Sequence, residues 1–121
     1  MPYPSDPLFD EQWHLARLDI EGAALWLRDT GLEVGRRARV RVLARDVSLA
    51  TEAPRATSIQ NLLEGTVLAI VAEDHPSQTL VKVQCGQCIL LARVTSRAVD
   101  ALGLEPGKPV WAQVKSVALV D

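Results

Sequence analysis

The sequence predicts an all-β fold, a small closed or partly closed barrel, on two observations. Seven or eight short β-rich runs are separated by turn signals, and only one segment reads convincingly as helix. Strands do not alternate with helices of comparable length, so a doubly wound α/β sheet is not expected.

Each element has its own justification. "QWHLARLDI" and "AALWLRD" read as two strands joined at Glu21-Gly22, because glycine supplies the positive φ of a tight hairpin. "GLEVGRR" is a turn, and "ARVRVLARDVSLA" is a strand with a bend near Arg45-Asp46. "TEAPRAT" is a loop, and "EGTVLAIVAED", "TLVKVQC" and "CILLARV" are three further strands punctuated by "DHPSQ" and "GQ". In "TSRAVDALGLEPGKP", Thr95 or Ser96 can cap a helix, Val99 and Leu102 share a face, and Gly103 can end it. "VWAQVKSVALV" closes the chain as a strand with Lys115 between Val114 and Ser116, and it is weakly similar to "RVRVLARDVSLA". The default architecture is an OB-like barrel to which the less patterned residues 1–45 add strands at one edge.

Composition narrows the function classes. A chain of 121 residues, 48% of them apolar, buries one core and is too short for two ordinary domains. Its net charge of -2 is spread over both signs, so no nucleic-acid partner is expected, and the one dense basic stretch, Arg36 to Arg41, reads as a solvated strand face. No apolar run approaches the roughly 20 residues that span a bilayer. The acidic, proline-rich start "MPYPSDPLFDEQ" is no signal peptide, so a cytoplasmic chain without membrane insertion is expected.

The chemistry-bearing residues point away from catalysis and metals. Cys85 and Cys88 in "CGQC" share the spacing of zinc knuckles and dithiol motifs, but His14 and His75 are not at ligand spacing. The alternation on both sides of Gly86-Gln87 favours strand cysteines flanking a two-residue hairpin. No phosphate loop, nucleophile elbow or HExxH occurs. The acid pairs Asp19 with Glu21 and Glu73 with Asp74 read as solvated, and neither a catalytic residue nor a metal ligand is assigned. Anion binding fares better. Ser58 and Thr95 each open a segment with helical potential, where unpaired N–H groups converge, and Lys115 supplies a cation. On spacing alone, ordinary caps and a solvated lysine are the favoured explanation of these three residues.

A resemblance shifts that balance. "ARDVSLATEAPRATSIQNLLEGTVLAI" followed by "ARVTSRAVDALGLEPGKPVWAQVKSVALV" resembles the molybdate-binding Mop or TOBE (transport-associated OB) domains. Their pattern runs Ser-x-x-Asn-x-Leu-x-Gly-x-Val, then Thr, a short helix, Leu-Gly-Leu-x-x-Gly and a last strand bearing Lys. The match covers about the last two thirds of the chain, and "VRVLARDVSLA" looks like the strand that leads into such a domain in the ATPase subunits of molybdate ABC importers. The resemblance implies an all-β OB-like TOBE barrel over residues 46–121, with residues 1–45 completing or flanking it. The oxyanion contacts it implies are Ser58, the backbone around Gln60 and Asn61, Thr95, Lys115 and Ser116.

Two positions depart from the family pattern: Gln60 where several members have Arg, and Ala98 where several have Ser. Charge-assisted hydrogen bonds are worth roughly 1.5 to 3 kcal/mol each, so the two departures imply weaker binding unless Ser96 or the Gln60 amide substitutes. The implied function is regulatory sensing of molybdate or tungstate, with no other cofactor, by a homodimer. Importer ATPase and permease are its implied partners, at the inner face of the plasma membrane. Two alternatives stay open: a dimerisation module that binds no anion, and a stand-alone Mop-type storage protein.

Overall fold

The computed structural model describes residues 9–10, 15–20, 23–28 and 39–120. The turn at Glu21-Gly22, His14 and the segment "GLEVGRR" lie outside the described residues. Strands β1 (Phe9–Asp10), β2 (Leu15–Ile20) and β3 (Ala23–Arg28) form an antiparallel three-stranded sheet, with Leu18 opposite Leu25 in the β2–β3 ladder. Next come β4 (Arg39–Arg41), a 3-10 turn at Ala44–Asp46, and β5 (Val47–Ala50). The body of the molecule follows: β6 (Asn61–Ala72), β7 (Gln78–Cys85), β8 (Cys88–Thr95), helix α1 (Ser96–Leu102), β9 (Pro109–Val114) and β10 (Ala118–Val120).

Five strands make the main antiparallel sheet in the order β5-β9-β6-β7-β8. Strand β6 is its spine. Its first half, Asn61 to Thr66, pairs with β9, and its second half, Thr66 to Ala72, pairs with β7. At the changeover the register slips between Val67 and Ala69, leaving Leu68 as an extra residue. Such a bulge bends a strand and tightens its twist, which curls the sheet into a half-barrel. The curl brings β8 back against β5 and the 3-10 turn.

Alternation decides which face is inside. Strand β7 buries Thr79, Val81, Val83 and Cys85 while exposing Lys82 and Gln84. Those inward residues meet Leu63 and Val67 of β6, Ala92 of β8, and Val110, Ala112 and Val114 of β9 in one apolar core. Leu25 from β3 joins the same core at 1% exposure. At the foot of the barrel, Val99, Leu102 and Leu104 turn one side of α1 and its exit toward it.

The helix and the cysteine hairpin form as the sequence predicts. The Thr95 hydroxyl accepts the Ala98 N–H, and Gly103 ends α1 in the left-handed region at φ 62°, ψ 38°. Cys85 stands opposite Cys88 across a two-residue turn whose Gly86 has φ 60°, and both thiols are free. Two expectations are corrected. The segment 57–60 is not helical: the Thr57 hydroxyl accepts the Ile59 N–H in a local turn, and the chain then enters β6 directly. The last run is not one strand, because β9 stops at Val114, the Lys115 N–H donates to the Asp46 carbonyl at 2.8 Å, and the chain crosses to pair β10 with β4. That break, the 3-10 turn and the added β1 make ten strands among the described residues, of the seven or eight predicted.

Candidate functional site

Register gathers most of the predicted residues at one end of the barrel. Asn61, first residue of β6, is paired with Val114, last residue of β9. Val114 is also paired with Val47, first residue of β5. Three strand ends therefore coincide, and the next positions outward are Gln60 before β6, Lys115 after β9 and Asp46 before β5. Ser116 lies one residue and Ser58 two residues further along the same two segments, and both are exposed, as are Gln60 and Lys115. The backbone here is bent rather than extended. Ala56 sits at φ 50°, an uncommon conformation for a residue with a Cβ, and directs the chain toward Ser58.

The 3-10 turn carries this end across to the rest of the barrel. Its Asp46 carbonyl holds the Lys115 backbone, and β8 packs on the same turn, while register places Thr95 beside Gln78, near the Ala72 end of β6 and not the Asn61 end. Thr95 is exposed, and its hydroxyl oxygen accepts the Ala98 N–H at 3.1 Å, which leaves the hydroxyl proton free to donate. Among the described residues the ion pair present is Arg93 with Glu73 at 2.9 Å, and Lys115 takes part in none. An exposed ammonium, two serine hydroxyls and a turned backbone can offer an anion both charge and donors.

Two of the candidate side chains have structural employment. Ser96, a substitute donor by sequence, shares a hydrogen bond with the Thr79 hydroxyl at 2.8 Å and donates to the Pro76 carbonyl at 2.7 Å. Its hydroxyl proton is thereby occupied in joining the β6–β7 turn to the start of α1. The Asn61 carboxamide bonds both the N–H and the carbonyl of Trp26, each at 2.8 Å. Neither Trp26 nor the Asp46 carbonyl was recognisable from sequence, since both act through the backbone and Trp26 lies 35 residues from its partner.

The other candidate places offer less. A groove of about 520 Å³ runs beside β6 and β9, lined by Glu64, Thr66, Leu68, Gln84, Pro109 and Trp111 among others, and none of the predicted contacts borders it. Among the described residues no three His, Cys, Asp or Glu side chains cluster as metal ligands. His75 accepts the Ser77 N–H at 3.1 Å in an exposed turn. No helix among the described residues is long and apolar enough to cross a membrane.

Comparison with known proteins identifies the family and the fold. Residues 57–120 match the TOBE domain family. The chain is 59% identical over 112 residues to a protein named molybdenum import ATP-binding protein ModC from Methylococcus capsulatus, and 49% identical over 111 residues to one of the same name from Thiobacillus denitrificans. The alignments cover 93% and 92% of this chain, which spans about a third of either relative, 32% and 31%. The fold is similar to a crystal structure of the cytoplasmic molybdate-binding protein ModG with molybdate bound, at a TM-score of 0.67 and 25% identity. That match covers 81% of this chain and 76% of the other.

Proposed function

Because the chain belongs to the TOBE domain family, we propose that it is the regulatory oxyanion-binding domain of a molybdate importer's ATP-binding subunit, taking molybdate or tungstate as ligand and no other cofactor. The observation that carries this reading is the convergence of Ser58, Gln60 and Asn61 with Lys115 and Ser116 where β5, β6 and β9 end together. In this reading residues 46–121 are the TOBE unit and residues 1–45 flank it. ATP hydrolysis belongs to a part of the longer protein outside this chain, which works in the cytoplasm against a membrane permease.

The mechanism is linkage between binding and arrangement. A dianion leaving water needs charge compensation as well as N–H and O–H donors. Lys115 is the cation the family pattern supplies, and Ser58, Ser116 and Thr95 supply hydroxyls. Exposure of all four residues supports a pocket completed by a second copy of the chain, which closes over the anion. Molybdate then favours the paired arrangement by its differential affinity, and the same free energy biases the attached ATPases.

Titration calorimetry with molybdate, tungstate and sulfate tests the reading. Wild type is expected to bind the first two, Lys115→Ala to lose measurable binding with an unchanged unfolding midpoint, and Ser58→Ala and Thr95→Ala to bind more weakly. Equal affinity of wild type and Lys115→Ala, or no binding by wild type, rejects the sensing role. The second reading, a dimerisation module that binds no anion, is favoured by the occupied Ser96 hydroxyl and by Gln60 and Ala98.

A further inference from the structure

Among the described residues strand β3 pairs through its backbone with β2 alone, yet it lies against β6. What joins β3 to β6 is a side chain. The Trp26 N–H donates to Asn61 Oδ1 and Asn61 Nδ2 donates to the Trp26 carbonyl, both at 2.8 Å. A carboxamide that serves the N–H and the carbonyl of one residue copies what an opposite peptide does in a hydrogen-bonded antiparallel pair. One residue earlier, Leu25 is buried in the core that contains Leu63, so the clamp and the apolar contact flank the same junction.

The position of this clamp matters for the residues beside it. Between β5 and β6 the chain runs ten residues without a strand, from Thr51 to Gln60, and its last residue adjoins Asn61, whose strand partner Val114 precedes Lys115. Among the described residues, the side-chain hydrogen bond within that stretch is the local one from Ile59 to Thr57. The first long-range anchor after it is Asn61.

We infer that Asn61 is a positioning residue for oxyanion binding: its carboxamide docks the β2–β3 hairpin onto the start of β6 and so fixes Ser58 and Gln60 beside Lys115. The inference rests on the oxyanion reading. It makes the hairpin a responsive part of the site, because the factor by which docking raises anion affinity is the factor by which the anion raises docking.

Amide hydrogen exchange by NMR on the full chain, with and without saturating molybdate, tests it beside calorimetry of wild type and Asn61→Ala. Without anion, Asn61→Ala should speed exchange at the Trp26 amide about tenfold, the scale of one net hydrogen bond, while the Val81 and Val83 amides in the core keep their rates. Molybdate should slow Trp26 exchange in wild type and not in the variant, whose affinity should fall about tenfold; a purely structural clamp would not make Trp26 sense the anion. Unchanged Trp26 exchange in Asn61→Ala overturns the clamp. Wild type and variant binding molybdate equally overturns the positioning role alone. Fast Trp26 exchange in the variant with no molybdate or tungstate bound by wild type overturns the oxyanion reading, and the positioning role with it, while the clamp stands.

Discussion

Gly65 of β6 leaves no room for a side chain against β7. A Cβ there would lie 2.7 Å from Val83 Cγ1, 2.8 Å from Cys85 Sγ and 2.8 Å from the Gln84 carbonyl oxygen. Two of those neighbours are side chains, but the third is backbone and cannot rotate away. Gly65→Ala should therefore cost about 1 to 3 kcal/mol by overpacking, read as a lower urea midpoint, and adding Cys85→Ala should restore only part of it. The same crowding governs the thiol. Burial, and secondarily the neighbouring Cys88, raises the Cys85 pKa from the ordinary thiol value to about 11. The folded chain then holds a proton that the unfolded chain has already released, so stability falls as pH rises from about 9 toward 11, by up to about 1.4 kcal/mol per pH unit. Urea unfolding across that range in wild type and Cys85→Ala checks the slope, which the variant should lose. At neutral pH iodoacetamide should label half-buried Cys88 well before Cys85.

Helix α1 shows how much a short element depends on its ends. Its seven residues cannot sustain a helix alone. The Thr95 cap, the Gly103 stop with the Leu104 N–H returning to the Val99 carbonyl, and the Lys108 ammonium on the Leu102 carbonyl at 2.9 Å satisfy groups that would otherwise be unpaired. Thr95→Ala should destabilise the chain by about 1 kcal/mol in urea unfolding, and Thr95→Ser, which keeps the oxygen, by much less. If Thr95 also donates to the oxyanion, Thr95→Ser should retain affinity as well. The last run, "VWAQVKSVALV", is the opposite case. Its composition reads as one strand, yet a backbone partner outside the segment, the Asp46 carbonyl, breaks it at Lys115. Lys115 thereby leaves the sheet and stands at its end.

At the scale of the whole molecule the two breaks form a pair. The 3-10 turn separates β4 from β5, and residues 115–117 separate β9 from β10; β5 pairs antiparallel with β9, and β10 pairs antiparallel with β4. The weak similarity of "RVRVLARDVSLA" to "WAQVKSVALV" thus corresponds to two strand pairs that cross between the halves of the chain, and "GLEVG" at 31–35 against "GLEPG" at 103–107 extends it in sequence. A short exposed strand edge is well covered by another copy. The chain should accordingly sediment as a dimer at micromolar concentration, and a monomer at every accessible concentration would remove the shared pocket.

What the sequence determined by itself was local. Alternation along "TLVKVQC" and "CILLARV" set their buried faces, Gly86 set the hairpin between them, and Thr95 and Gly103 set the limits of α1, because each depends on neighbours within a few residues. The family motif carried Ser58, Gln60, Asn61, Thr95, Lys115 and Ser116 as candidates, but not their arrangement. Only the tertiary structure decided that Ser58 opens no helix, that Lys115 lies at a break, and that Asn61 holds Trp26. The last two outcomes rest on backbone partners 35 and 69 residues away, Trp26 for Asn61 and Asp46 for Lys115, and no local periodicity records which distant carbonyl a strand end will meet.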